Sequence, residues 1–468
     1  MAELWQWNAP RLSAAFGSGE ASPVEVAKSL LARIAALDGK VNAYCLVDEP
    51  ATLAQARASE DRWKKEAALS PLDGVPVAVK DILLTRGWPT LRGSRFTDPN
   101  QAWNDDAPVV ARLREAGAVL LGKVTTPDHG WKGVTDSPLT GITRNPWNLE
   151  KTPGGSSGGS SAAVAARLAP LALGTDGGGS IRIPAGFTGT FGIKPHFGRV
   201  PAWPSSPFGT LAHLGPMSRD VEGSAMLLDV MSHPDARDWQ ALPPPGSSFV
   251  ADLHKGVRGK RIAFSPAMGF AKNVEPQVTE LVAAAARRFT ELGAHVEAVD
   301  PPGGDPAEVF RTLWWGGAGF LFGNLTPERK ALLDPGLAGI ADEGAAISTR
   351  QYIDANVARG VYASAMRRFM EKYDLLLTPS LAVTAFDVGR LTPYADGSWT
   401  SWTPFSYPFN LSQQPACTIP CGLTKDGLPI GLQLVGPMFG DALVLRAARA
   451  YESVRPIPRP PLDRLRVA

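Results

Sequence analysis

The chain has 468 residues, of which 44% are hydrophobic, and its 47 basic and 45 acidic side chains leave a net charge of +2. This length fits two or three average domains or one large α/β domain. So balanced a charge favours neither a nucleic-acid groove nor a basic membrane patch, and no apolar run reaches the roughly 20 residues of a membrane helix.

Cysteine usage and the N-terminus point to the cytoplasm. The chain has three cysteines, too few for a disulfide framework. Its first residues lack the basic and apolar regions of a signal peptide. Cys417 and Cys421 have a spacing found in zinc sites, but no second pair of cysteines or histidines follows, so we expect two small buried residues and no metal.

A helical segment is predicted for the N-terminal part, residues 1–70. Ser22-Pro23-Val24-Glu25 is a capping box with proline at the first helical position. Apolar residues then recur at helical spacing, and Gly39 is expected to end this helix. Residues 51–68 are predicted to form a second helix with a polar face.

Short apolar runs alternate with helical patterns from residue 71 onwards. Helices are predicted at 108–116, 160–168 and 278–292, and strands at 75–79, 118–121, 171–173, 261–264, 296–299, 375–377 and 430–435. Strands interleaved with helices favour an α/β sheet covered on both faces.

Three long stretches lack a regular pattern. Residues 232–258 are polar and rich in proline, which indicates a surface crossing and not a domain boundary. Residues 199–217 and 379–414 are predicted to be long irregular loops. Their many aromatic residues favour ordered, functional loops over disorder.

The chemical signal lies in one lysine and two stretches rich in glycine and serine. Lys80 ends the apolar run 74–79, and the two stretches are residues 153–161 and 174–182. A serine hydroxyl is a poor nucleophile until a base takes its proton. Lysine does this only as the neutral amine, which requires a pKa lowered by burial. The position of Lys80 behind four strand residues predicts such burial.

The second stretch also has the composition of an oxyanion hole. Three successive glycines precede Ser180 and leave backbone N–H groups able to approach a substrate oxygen. Asp176 and Arg182 flank this loop, and we expect them to pair and hold it.

Other interpretations of the glycine runs fit less well. No Gly-Lys pair is followed by serine or threonine, which excludes a phosphate-binding P-loop. Residues 155–159 match the G-x-S-x-G nucleophile elbow, but the elbow needs a preceding strand and residues 144–153 are not strand-like. A flexible linker would not lie between Pro153 and an alanine-rich helix.

At these positions the chain resembles the amidase signature family. The lysine strand, both glycine-serine stretches and Gly192-Ile193-Lys194-Pro195 look like the core signature of that family. Further similar blocks cover nearly the whole chain, at residues 73–81, 143–148, 215–219, 410–422 and 427–433.

The resemblance implies a single large α/β/α domain over residues 1–468, built on a mixed twisted central sheet. Residues 1–70 would be its N-terminal helical segment and residues 71–230 its catalytic core. Residues 259–468 would add the remaining sheet, helices and pocket loops.

The resemblance also implies a division of labour among the catalytic residues. Ser180 would be the nucleophile, Lys80 the final base, and Ser156 the serine that passes the proton between them and then to the leaving amine. In the family the peptide bond before the bridging serine is often unusual, which places it at Ser156. The oxyanion hole would consist of the backbone N–H groups of Gly177, Gly178, Gly179 and Ser180. Neither a cofactor nor a metal is implied.

Several neighbouring residues compete for these roles. Ser157 is the alternative to Ser156 and is interpreted as a structural hydrogen-bonding residue. Lys123 also ends an apolar strand and is interpreted as a solvated strand end. The six histidines form no spaced cluster, which disfavours a Ser-His triad, and His129 and His213 stay open as pocket residues.

Two functions compete for the resemblance. One is a stand-alone amidase for small aromatic or apolar amides, and the other is the glutaminase component of a glutamine-dependent tRNA amidotransferase, which needs partner subunits. Glutaminase members carry an arginine before the helix that precedes Tyr373 and an aspartate before the Asn410 block. Here residues 336–344 contain no arginine, and the aspartate's place falls near Thr403.

The expected substrate pocket is apolar and consists of Gly130, Trp131, Thr403 and Phe405, with Trp131 open to a core-packing role instead. Aromatic residues at these places favour an apolar amide. The expected partner is this small molecule, with neither nucleic acid nor membrane. Because family members are often dimers, a homodimer is left open.

Overall fold

The computed structural model describes residues 3–395 and 397–462. A mixed sheet of eleven strands runs through the molecule in the order β1-β3-β2-β6-β8-β7-β12-β13-β11-β9-β10, and β4 and β5 form a separate hairpin. The strands are β1 (Tyr44–Val47), β2 (Pro76–Lys80), β3 (Val119–Val124), β4 (Asp136–Ser137), β5 (Gly141–Ile142), β6 (Leu171–Asp176), β7 (Phe191–Lys194), β8 (His213–Ser218), β9 (Arg261–Phe264), β10 (His295–Ala298), β11 (Leu375–Pro379), β12 (Ala416–Leu423) and β13 (Pro429–Val435).

Helices cover both faces of this sheet. They are α1 (Ala9–Ser18), α2 (Pro23–Val41), α3 (Glu49–Lys64), α4 (Pro108–Glu115), α5 (Gly158–Ala165), α6 (Arg182–Thr188), α7 (Val221–Met231), α8 (Pro276–Glu291), α9 (Ala307–Phe322), α10 (Pro327–Lys330), α11 (Pro335–Ala345), α12 (Thr349–Phe369), α13 (Tyr407–Leu411) and α14 (Asp441–Val454). No helix in the described part of the chain is both long and apolar enough to cross a membrane.

Two large apolar clusters lie on opposite sides of the sheet. In β11, Leu375 and Leu377 belong to one cluster and Leu376 belongs to the other. Side chains alternate between the faces of a strand, so the sheet separates the clusters. The predicted α/β/α layering is confirmed.

The central strands position the catalytic candidates. β2 and β6 are parallel neighbours, so the ends at Lys80 and Asp176 meet at one edge of the sheet. All five residues of β2 are buried, as expected for a strand covered on both faces.

The capping box at Ser22 is confirmed, since its hydroxyl accepts from the Glu25 backbone N–H. The predicted end of this helix at Gly39 is two residues early. Asn42 adopts the left-handed conformation (φ 55°) that stops the helix after Val41, and asparagine tolerates this conformation well.

The predicted irregular stretches contain more structure than expected. β8 begins inside 199–217, and α13 lies inside 379–414. Sequence patterns also missed α9, α11 and α12. α12 exposes Ile353, Val357 and Val361, which weakens the amphipathic pattern that predicts a helix.

Candidate active site

Lys80 lies buried among three hydroxyl groups. Its Nζ is 2.7 Å from Ser156 Oγ, 2.9 Å from Ser157 Oγ and 2.8 Å from Thr175 Oγ1. Burial lowers the pKa of the Lys80 ammonium well below its ordinary value, against an opposing attraction from the Asp176 carboxylate. The site therefore favours the neutral amine that a lysine base requires.

The hydrogen bonds around Lys80 restrict where its free electron pair points. A neutral amine donates two hydrogen bonds and accepts one, so one of its three hydroxyl neighbours donates to Nζ. Ser157 Oγ already donates to the Thr175 carbonyl at 3.1 Å. Ser156 and Thr175 are therefore the two possible donors, and donation by Ser156 is the direction in which a bridging serine passes a proton.

Thr175 was missed by sequence analysis. It stands in the glycine-rich stretch one residue before Asp176, and it reaches Lys80 only because β6 lies beside β2. The order of strands in the sheet, which the local sequence does not contain, was the missing signal.

The loop before α5 places Ser156 between Lys80 and Ser180. The Gly155–Ser156 peptide bond is cis, at the position where the resemblance implied an unusual bond. A Cβ on Gly155 would lie 2.5 Å from the Val134 carbonyl oxygen, so only glycine fits there. The Ser157 N–H donates to the Ser180 carbonyl at 3.1 Å, which ties this loop to the second one.

Ser180 follows the three glycines at the end of β6 and is 7% exposed. Its hydroxyl makes no hydrogen bond with any residue that the structure describes. Lys80 and Ser156 are thus joined directly, whereas Ser180 meets this pair through the backbone contact at Ser157. Catalytic hydrogen bonds are often loose without substrate.

Asp176 holds the glycine loop through a buried ion pair. Its carboxylate is 3.0 Å from the Arg182 guanidinium, and both side chains are fully buried. The carboxylate also accepts from the backbone N–H groups of Gly179 (2.8 Å) and Ile181 (3.2 Å). Burial alone would raise the pKa of Asp176, but Arg182 outweighs this and keeps the pKa well below its ordinary value.

The ion pair belongs to a larger network that joins distant parts of the chain. Asn410 Nδ2 donates to Asp176 Oδ1 at 2.9 Å, and Arg182 donates to Asn410 Oδ1 at 2.7 Å and Gln433 Oε1 at 2.8 Å. Sequence analysis predicted the pairing of Asp176 with Arg182 but neither amide, because both lie more than two hundred residues further along.

The structure narrows the set of N–H groups that can bind an oxyanion. Gly179 was expected among them, but its N–H already donates to Asp176. The N–H groups of Gly177, Gly178 and Ser180 have no partner among the described residues.

Aromatic side chains cover these glycines. A Cβ on Gly177 would lie 2.6 Å from the Trp314 ring, and a Cβ on Gly178 would lie 2.6 Å from Phe310 and 2.9 Å from Trp399. The Phe310 and Trp314 rings are stacked with centroids 5.7 Å apart. We call Phe310, Trp314 and Trp399 the aromatic wall.

Gly130 and Trp131 lie at the site, as expected. A Cβ on Gly130 would lie 3.2 Å from Ser156 Oγ, so its missing side chain leaves space over that hydroxyl. Trp131 is buried, and its ring lies against the Cα of Gly336. Its carbonyl accepts from Trp314 Nε1 at 3.3 Å, which links it to the aromatic wall.

Thr403 and Phe405 are fully buried behind the loop. The Thr403 hydroxyl donates to the carbonyl of Trp399, and the Phe405 carbonyl accepts from Gln433 at 2.7 Å. These bonds assign them to the support of the network. Ser406, which sequence analysis missed, is closer: its hydroxyl donates to the Gly178 carbonyl at 2.7 Å.

The interpretation of Lys123 as a solvated strand end is wrong. Lys123 is fully buried, and its Nζ donates to the Leu83 carbonyl at 2.6 Å and to Thr90 Oγ1 at 2.8 Å. Burial lowers its pKa to about 8, although Asp81 opposes the shift. The segment after β2 folds over this lysine, which a pattern of adjacent residues does not reveal.

The two histidines left open differ in their surroundings. His129 is bonded to Asp128 and packs edge-on against Phe322. His213 lies on β8 opposite Asp176, and burial lowers its pKa well below the ordinary value. Within the described ranges, no group of histidine, cysteine and acidic residues could hold a metal ion.

Comparison with known proteins decides the family. The Amidase family model matches residues 25–445. The chain belongs to the amidase signature family. An acylamidase of Rhodococcus erythropolis is 36% identical over 471 residues and is covered over 98% of both chains. The fold is also that of a solved bacterial aryl acylamidase of the amidase signature family, with a TM-score of 0.90, 32% identity and 96% coverage of each chain.

Amidase signature relatives with another role are equally similar. The glutamyl-tRNA(Gln) amidotransferase of Myxococcus xanthus (strain DK1622) has an amidase-like component, its A subunit. That protein is 38% identical over 482 residues, covering 94% of this chain and 96% of its own length. The protein described here is therefore an amidohydrolase, and overall identity does not select its substrate.

Proposed function

We propose that this amidase works as a single chain and hydrolyses the C–N bond of small aromatic or apolar carboxamides and anilides. The products are a carboxylic acid and an amine or ammonia. The three cysteines are unpaired, in keeping with the cytoplasmic location that we propose.

In this proposal Ser180 attacks the amide carbonyl carbon while its proton moves to Ser156, whose own proton moves to neutral Lys80. The oxyanion that forms accepts hydrogen bonds from the N–H groups of Gly177, Gly178 and Ser180. Ser156 then protonates the amide nitrogen and regains a proton from Lys80. The C–N bond breaks, the amine leaves, and Ser180 carries the acyl group.

Hydrolysis of the acyl-enzyme repeats these steps with water. The water attacks the ester carbonyl, and its proton passes through Ser156 to Lys80. Collapse of the second tetrahedral intermediate breaks the bond to Ser180 Oγ, which recovers its proton, and the acid leaves.

One observation carries the choice of substrate, namely the aromatic wall on the oxyanion glycines. Trp314 lies against Gly177, and Phe310 and Trp399 lie against Gly178. Gly336, in the region where glutaminase members carry an arginine, has no side chain and packs on Trp131. Apolar walls with few polar groups suit an aryl or alkyl amide, whereas free glutamine carries two charged groups.

The experiment compares three substrates with the purified chain: an acetanilide with a chromogenic amine, benzamide and glutamine. Serine-dependent cleavage of the anilide or benzamide, with glutamine uncleaved, supports the proposal. Ser180→Ala serves as the blank, and Ser453→Ala, on the exposed side of α14, serves as the matched control.

The amidotransferase component is the second candidate because of the Myxococcus xanthus relative. Cleavage of glutamine alone, or activity that appears only with partner subunits, would favour it over the single-chain amidase.

A further inference from the structure

A groove of about 650 Å³ lies at the edge of the sheet opposite to the candidate active site. β6 runs from Leu171 towards Asp176 at the active-site edge, and Arg167 on the groove precedes β6. Arg219, also on the groove, follows Ser218, which pairs with Leu171. The groove and the catalytic serines are thus at opposite ends of the same strands.

The walls of this groove have an excess of positive charge. Two carboxyl groups, Asp220 and Glu452, line it together with five guanidinium groups, those of Arg11, Arg167, Arg219, Arg449 and Arg459. Burial and the nearby Asp220 raise the pKa of Glu452 to about 7, which further weakens the negative charge at neutral pH.

Ion pairing neutralises only two of the arginines. Arg11 pairs with Glu20, and Arg449 pairs with Glu452 at 3.1 Å. Within residues 3–395 and 397–462, no carboxylate forms an ion pair with Arg167, Arg219 or Arg459. Arg219 instead donates to the carbonyls of Trp7 and Ala169, which carry no net charge.

Arg167 is held in an unusual position. Its φ of 59° lies in the left-handed region, which costs a residue with a Cβ roughly 1 kcal/mol or more, yet the residue is only 6% exposed. Its guanidinium lies 5.5 Å from the Trp5 ring centroid. Burial lowers the pKa of Arg167, and the neighbouring charge of Arg459 adds to this effect. These arginines therefore repel one another, and an anion between them would relieve the repulsion.

We propose that the groove binds an oxyanion, a phosphate or carboxylate group carried by a small molecule. Guanidinium groups match both groups through paired N–H donors. Trp7 and Ile457 also line the groove and offer an apolar surface to the organic part of such a ligand. The site is separate from the amide-cleaving site, and its existence does not depend on the proposed substrate.

The test is calorimetric titration of the purified full-length chain with inorganic phosphate and, separately, with benzoate, at constant ionic strength maintained by chloride. Arg167→Gln and Arg459→Gln should each weaken binding about tenfold, as expected for the loss of a charged hydrogen bond. Glu452→Gln removes a negative charge and should strengthen binding. Arg350→Gln, whose side chain is 89% exposed on α12, is the matched control and should leave binding unchanged.

Opposite effects of the arginine and glutamate variants separate binding from loss of fold, since a misfolded variant does not bind more tightly. Binding of phosphate alone or benzoate alone, sensitive to Arg167 and Arg459, identifies which oxyanion the site takes. No heat with either anion, or equal affinity in all four variants, would overturn the proposal.

Discussion

Replacing Asp176 by asparagine should destabilise the protein strongly, because the change leaves a buried cation without its counter-ion. The Arg182 guanidinium and the Asp176 carboxylate are 3.0 Å apart and fully buried. Removing one partner of such a pair costs about 3–5 kcal/mol, a large part of the roughly 5–15 kcal/mol by which proteins are usually stable. The loss measures the uncompensated charge of Arg182 and not the net value of the pair.

Urea unfolding followed by circular dichroism measures this loss as a lower midpoint with an unchanged slope. Asp354→Asn is the matched control: its ion pair with Arg350 is exposed and 3.6 Å long, so its loss should cost less than about 1 kcal/mol. The double variant Asp176→Asn, Arg182→Met removes both charges and should recover part of the stability.

The pH dependence of the same pair has a defined sign. The folded-state pKa of Asp176 lies below its unfolded value, so its contribution is present above the unfolded pKa and is lost as pH falls through the folded pKa. A loss below about 1 kcal/mol in Asp176→Asn, or a double variant no more stable than the single one, would refute this reasoning.

Three further predictions concern the catalytic groups. Ser180→Ala should abolish anilide cleavage without shifting the urea midpoint; a rate near that of the unmodified protein would contradict the nucleophile assignment. Between pH 5 and 11, kcat/KM should rise as Lys80 loses its proton and level off below about 10.4, the ordinary lysine pKa; the Lys80→Met variant should lack this rise, and an unchanged profile would argue against lysine as base. Gly130→Ala should lower kcat, because its Cβ would lie 3.2 Å from Ser156 Oγ; Gly19→Ala has a similar φ with open space around it and should keep full activity, and equal rates in both variants would exclude the steric effect.

Lys80 and Lys123 mark the limit of local sequence patterns. Both end apolar strands, and both are fully buried, although only Lys80 was predicted to be so. What separates them is the set of groups around each Nζ: three hydroxyls at Lys80, and chiefly the Leu83 carbonyl and Thr90 at Lys123. Those neighbours come from other strands and loops, so a single segment of sequence does not reveal them.

The supporting network was predictable only in its local part. Asp176 and Arg182 are six residues apart and were expected to pair, which the structure confirms. Asn410 and Gln433 enter the same network from elements that follow more than two hundred residues later. The aromatic wall is similar: its members were visible as aromatic residues, but their contact with Gly177 and Gly178 depends on the packing of α9.

The most direct test of the catalytic assignment is to find which serine carries the acyl group. The protein is mixed with an aryl ester, quenched in acid and digested with trypsin, which separates residues 152–167 from residues 168–182. The account predicts one acyl adduct on the second peptide, at Ser180, and none in the Ser180→Ala variant. An adduct on the first peptide, at Ser156 or Ser157, would contradict it.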